Sequence, residues 1–174
     1  MFERALRETF SEDVDKVVVN DERIAKILEG KVGEAQCEVY GGERNIMRYF
    51  GIDKQINHLC DQKVSFGSGA YIVIDKAEAL TVIDVNTGKF VGTSDLEDTV
   101  YKTNLAATEC IARQLRIRNI SGIVIIDFID MQSQEHRDSV VEALQNALKK
   151  DRMKTSTVGM TLLSFLTGIL IRRA

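Results

Sequence analysis

Two stretches decide the fold: ALTVIDVN, Ala79–Asn86, and GIVIIDFID, Gly122–Asp130. Both are strand-like apolar runs that carry a carboxylate near their ends, and a helix-like stretch of about twenty residues separates them. Side chains on a strand alternate faces. Val82, Asp84 and Asn86 therefore share one face, and Ile83 and Val85 the other. Asp127 shares a face with Ile125 and Ile129, while Asp130 points away from it. If the strands are neighbours, Asp84 and Asp127 meet, and close carboxylates repel unless a cation, a proton or a basic residue intervenes. Two acids and one amide suit magnesium or manganese, which takes one or two carboxylates and leaves room for water and phosphate. The alternative is that both acids cap neighbouring helices or pair with Lys and Arg. Residue types alone leave the two readings level.

Working outward, GSGAYIVIDKAEALTVIDVN reads as a hairpin, with strands Tyr71–Ile74 and Ala79–Val85 joined by a polar turn at Asp75–Glu78. SDLEDTVYKTNLAATECIARQLRIRN reads as the longest helix. Ser94 is its N-cap, Asp95, Glu97 and Asp98 suit the positive end of its dipole, and Arg113, Arg116 and Arg118 suit the negative end. Its apolar stripe is Leu96, Val100, Ala107, Ile111 and Leu115, and Asn104 falls on that stripe. A buried amide needs partners, so Asn104 either bridges core backbone groups or supports the acid site. The unbroken apolar run of GIVIIDFID predicts a strand buried on both faces. Ser133 predicts the cap of a further helix reaching Lys150, with Val140, Val141, Leu144, Ala147 and Leu148 as its core stripe. Upstream, the pattern predicts a helix at Phe2–Phe10, a strand at Val14–Val19 and a helix capped by Asp21 and closed by Gly30. A strand in EAQCEVY and a helical segment broken at Gly51 complete this region. The order of elements predicts an α/β fold with a mixed sheet and flanking helices.

Composition narrows the function. The 174 residues suit one domain or two small lobes, and the net charge of -3 means that any nucleic-acid contact must come from a local basic patch. Lys102, Arg113 and Arg116 share a helix face, and Lys149, Lys150, Arg152 and Lys154 form a second cluster. Such charges ordinarily solvate a surface, but these could hold the phosphates of a nucleic-acid strand. Cys37, Cys60 and Cys110 are scattered with no CxxC pair, which gives neither a zinc ribbon nor a disulfide framework. His58 and His136 are isolated and read as packing or surface residues. No GxSxG, HExxH or P-loop pattern occurs. The N-terminus, MFERALRETF, has no apolar signal core, so a cytoplasmic setting is expected. The run LLSFLTGILI, Leu162–Ile171, falls well short of the roughly 20 residues of a membrane span and reads as a buried helix or strand.

The segments EALTVIDVNTGKFVG, TNLAATECIARQLRIRNISGIVIIDFIDM and ALKKDRMKT resemble the catalytic region of the ribonuclease E/G family. RALRETFSEDVDKVVVND and YFGIDKQI resemble the segment that precedes it, so the likeness covers roughly Phe2 to Thr161. The resemblance implies part of an RNase H-like subdomain over residues 1–66, a DNase I-like catalytic subdomain over 67–161 and an atypical apolar tail over 162–174. It implies a magnesium-dependent endoribonuclease acting on single-stranded, AU-rich RNA, with a preference for 5′-monophosphorylated ends and roles in ribosomal RNA processing and messenger RNA turnover. The family's two metal-binding aspartates fall on Asp84 and Asp127 and its nearby asparagine on Asn86. Lys154 falls where the family has a basic residue near the scissile strand. Lys102, Arg113, Arg116, Lys150, Arg152 and Lys154 are the expected RNA contacts, and a homo-oligomer is the candidate assembly, with no membrane partner. The family's OB-fold RNA-binding domain, most of its 5′-end sensor and its zinc-linking cysteines have no counterpart in this sequence, so no zinc-link site is expected. The tail reads as a truncated or frame-altered end. The rival reading is a catalytically weak or inactive RNA-binding or interaction module.

Overall fold

A computed structural model describes residues 14–29, 31, 36–67, 69–88, 96–151, 153–159 and, as backbone, 168–172. The predicted helix at Phe2–Phe10, the stop at Gly30, the cap at Ser94, the cation Arg152 and the first part of the apolar tail lie outside the described residues. The chain forms two compact units, Met1–His58 and Leu59–Ala174.

In the first unit, β1 (Lys16–Val19) and β2 (Gln36–Val39) are parallel, in register from Lys16↔Gln36 to Val19↔Val39. Parallel neighbours need a crossover, and α1 (Glu22–Leu28) lies between them in the chain. Asp21 caps α1 by accepting the Arg23 N–H at 2.7 Å. Ala25 and Leu28 are its buried residues. Two short helices follow, α2 (Ile46–Tyr49) and α3 (Ile52–His58). They are separated at Gly51, whose φ of 68° only glycine adopts cheaply.

The second unit is a six-stranded mixed sheet in the order β3-β4-β5-β6-β8-β7. Its strands are β3 (Lys63–Ser65), β4 (Tyr71–Lys76), β5 (Leu80–Asn86), β6 (Gly122–Asp127), β7 (Thr155–Thr157) and β8 (Gly168–Arg172). Only β5 and β6 run parallel. The crossover between them is α4 (Leu96–Ile117), and α5 (Gln134–Leu148) follows β6. Ser133 caps α5, accepting the His136 N–H at 3.4 Å. Within the apolar tail, Gly168–Arg172 is a strand that pairs antiparallel with both β6 and β7.

The core lies on one side of this sheet. Ile72, Ile74, Ile83, Val85, Val124 and Ile126 pack with Val100, Ala107, Ile111 and Leu115 of α4 and with Val140, Leu144, Ala147 and Leu148 of α5. Removing one of the Leu or Ile side chains among them down to Ala costs about 2–5 kcal/mol through lost transfer energy and the cavity left behind. Two expectations are corrected here. Leu96, the first residue of α4, is 74% exposed and not part of the core stripe. The GIVIID strand is not buried on both faces: Val124 and Ile126 are covered, whereas Ile123 is 44% exposed, since both helices occupy the same side. The opposite side, which carries no helix of this unit among the described residues, bears the alternate residues of β5 and β6, Asp84 and Asp127 among them.

Candidate active site

The acids meet because of register. Strands β5 and β6 pair from Leu80↔Ile123 to Asp84↔Asp127, so the two aspartates are direct partners at the end of the parallel ladder. Neighbouring strands lie about 4.8 Å apart, so the two side chains leave the sheet side by side. Asn86, two residues on and on the same face, donates from Nδ2 to Asp84 Oδ2 at 2.8 Å. That bond leaves the Asn86 carbonyl oxygen as a further hard donor beside the carboxylates. Asp84 is exposed, while Asn86 and Asp127 are half-buried.

The electrostatics match a cation site. Burial pushes the Asp127 carboxyl above the ordinary carboxylate value, and the charges of Asp84 and then Asp130 push it further. Neither acid caps a helix, and neither forms an ion pair with a Lys or Arg among the described residues. Two facing carboxylates and an amide oxygen on a solvent-open face fit a magnesium or manganese ion, which needs oxygen ligands and open positions for water and phosphate.

Behind the acids, the segment that leaves β6 is held from the helix side. Asn104 of α4 is fully buried and uses both halves of its amide on one residue: Nδ2 donates to the Ile129 carbonyl at 2.8 Å, and Oδ1 accepts the Ile129 N–H at 3.1 Å. Further along, Glu97 accepts the Gln132 N–H at 3.1 Å and the Ser133 N–H at 3.2 Å. Arg137 donates to the Met131 and Gln132 carbonyls. His136 is not isolated: its Nδ1 lies 3.0 Å from Glu97 Oε1, and its ring stacks on Tyr101 with centroids 4.1 Å apart. The Gln132 and Ser133 amides, then His136, hold the Glu97 carboxyl below its ordinary value. Sequence reasoning missed this array. The available signal was the i, i+4 spacing of Glu97 and Tyr101, but nothing in it names a partner on another helix.

The expected RNA-contacting cations are gathered elsewhere. Arg113, Arg116 and Lys150 line one cavity of about 600 Å³ with Val64, Ser65, Phe66 and Glu109, on the helix side of the sheet. Lys150 is 3.6 Å from Glu109 there, and burial pushes the Cys110 thiol up. Lys102 lines an adjoining cavity of about 280 Å³ that reaches Thr87, just past Asn86, and its Nζ is 2.6 Å from Asp98. Lys154 is exposed before β7. Pairing of Thr155 with Arg172, and of Arg172 with Gly122, puts it near the amino end of β6, roughly 16 Å along the strand from Asp127. The acids and amide thus come together, and the cations form separate groups.

Comparison with known proteins agrees with the motifs. The model of the Ribonuclease E/G family matches residues 1–168. Ribonuclease G of Escherichia coli (strain K12) is 41% identical over 167 residues, covering 92% of this chain and 34% of that relative. Ribonuclease G of Haemophilus influenzae is 40% identical over 169 residues, with 91% and 34% covered. Ribonuclease E of Escherichia coli (strain K12) is 32% identical over 158 residues, with 87% and 15% covered. The chain thus spans about a third of the length of the ribonuclease G relatives it matches. A model covering nearly the whole sequence, together with these relatives, places the chain in the ribonuclease E/G family.

Proposed function

We propose that this chain is a metal-dependent endoribonuclease that cleaves single-stranded, AU-rich RNA in the cytoplasm, with residues 67–161 as a DNase I-like catalytic subdomain and 1–66 as part of an RNase H-like one. The observation that carries the proposal is the Asp84↔Asp127 register on the face opposite α4 and α5, with Asn86 bonded to Asp84. Asp84 and Asp127 hold the ion, Mg2+ or Mn2+, and Asn86 orients Asp84 and offers its oxygen to water or phosphate. When bound, the ion neutralises developing phosphoryl charge and makes a water nucleophilic near neutral pH. Rigid strands fix both acids before substrate arrives, so little reorganisation is needed during reaction. Hydrolysis leaves a 5′-phosphate and a 3′-hydroxyl. Lys102, Arg113, Arg116, Lys150, Arg152 and Lys154 contact the RNA backbone.

The test is cleavage of a short end-labelled AU-rich RNA by the wild-type chain, by Asp84→Asn and by Asp127→Asn, each with Mg2+ and with EDTA. Cleavage that needs both the metal and the two acids is expected. Cleavage unchanged in either variant refutes the assignment. A folded wild-type protein that binds but never cuts this RNA points instead to the binding module.

A further inference from the structure

We infer that Asn104 is a positioning residue for the acidic pair, acting through the backbone of Ile129 to keep Asp127 in register with Asp84. The inference rests on the metal site proposed above and deepens it. The β5–β6 ladder ends at Asp84↔Asp127, although β5 itself continues to Asn86. Asp127 is therefore the last residue of its strand, with no further β5 pairing above it to fix its direction. Two residues on, the Asn104 carboxamide takes over. It offers Ile129 one N–H and one C=O, the same pair of groups that a neighbouring strand would present. A buried side chain that satisfies a donor and an acceptor on one residue fixes that peptide in both position and orientation. Phe128, between Asp127 and Ile129, is 4% exposed and anchors the same segment in the core.

Asn104 is itself 0% exposed, so it touches neither ion nor RNA, and any effect it has on metal affinity passes through the backbone. An aliphatic residue would fill a similar volume in the stripe of α4, but it would leave the half-buried Ile129 N–H and C=O without their Asn104 partners. The segment would then move to find other partners, and Asp127 would move with it. Partners that orient metal ligands typically change metal affinity by about 10–100-fold.

The experiment is Mn2+ titration of the full chain without RNA, read by electron paramagnetic resonance of the free ion. Wild type, Asn104→Ala, Asp127→Asn, the double variant and Ile111→Ala are compared. Ile111 is equally buried two turns along α4, so its truncation reports what lost core packing alone does. Asn104→Ala is expected to weaken Mn2+ binding by about tenfold or more, and Ile111→Ala by less than about twofold. In the Asp127→Asn background, removing Asn104 should add less than about twofold, because the route through Asp127 is already lost. Should Asn104→Ala not fold, Asn104→Leu fills a similar volume with neither donor nor acceptor and carries the same comparison. A folded Asn104 variant with wild-type affinity overturns the inference, as does an equal loss in Ile111→Ala. Wild-type protein whose Mn2+ uptake is absent, or is unchanged in Asp127→Asn, overturns the metal site itself, which is a separate result.

Discussion

Replacing Asp84 with Asn should make the metal-free protein more stable and the metal-loaded protein less stable. The sign follows from the register. Asp84 and Asp127 leave adjacent strands side by side, about 5 Å apart at the ordinary strand spacing. Two like charges at that distance repel by about 0.8 kcal/mol in bulk water and about 3.3 kcal/mol at an effective dielectric constant of 20. Asp84 is exposed, which selects the lower end, about 1 kcal/mol. An Asn at this position keeps an oxygen for the Asn86 amide and removes the repulsion, so the metal-free variant should melt about 3 °C higher. With Mg2+ at about 100 times its Kd, wild type gains about 2.7 kcal/mol by mass action, and a variant that has lost a ligand gains little. The two melting curves should therefore exchange order between EDTA and Mg2+ in calorimetry or urea titration at pH 7. If the acids merely stabilise the fold through local bonds, Asp84→Asn lowers stability in both conditions and Mg2+ shifts both proteins equally. That outcome would refute the reasoning, and so would a variant less stable than wild type in EDTA.

Two further outcomes are expected. Glu97, held below its ordinary value of 4.5 by the Gln132 and Ser133 amides and by His136, has a depressed folded-state pKa. Its contribution is therefore complete above the unfolded carboxylate range and is lost as pH falls through the folded value. The melting-temperature gap between wild type and Glu97→Gln should shrink steadily as pH falls below about pH 4.5; a gap that does not change across this window contradicts the assignment. Arg113 and Arg116 share one cavity, so replacing both with Ala should reduce the salt dependence of single-stranded RNA binding. Each lost phosphate contact removes about 0.7 from the slope of log K against log salt, about 1.4 for the pair; an unaltered slope in a filter-binding titration rules them out as RNA contacts.

Periodicity made half of the site legible. In ALTVIDVN a period of two puts Asp84 and Asn86 on one face, and the structure bonds them there. It does not say which strand lies beside β5 or in what register, because pairing depends on α4 carrying the chain across and laying β6 down parallel. The pattern joined Asp127 to Asp84 only on the condition that the two strands are neighbours, and the motif likeness then favoured a metal site over paired or capping acids. Asn104 was visible as a polar residue in an apolar stripe, but its partner is a backbone peptide 25 positions away, and backbone groups leave no mark in a sequence. Leu96 and Ile123 misled for a common reason. Apolar character shows that burial is affordable, but not that a neighbour is there to provide it.

On the helix side, Val124 and Ile126 are sealed under α4 and α5, and a carboxylate pair there would lose its hydration with no route for an ion or a phosphate to reach it. On the opposite side, burial raises the Asp127 pKa while Asp84 stays exposed, which under the proposed function would let a hydrated cation relieve the repulsion and bring substrate with it. The exposed Ile123 and the accessible acids have one cause: both helices of this unit pack on the same face of the sheet. Covering the other face would bury more apolar area at the expense of access to Asp84 and Asp127.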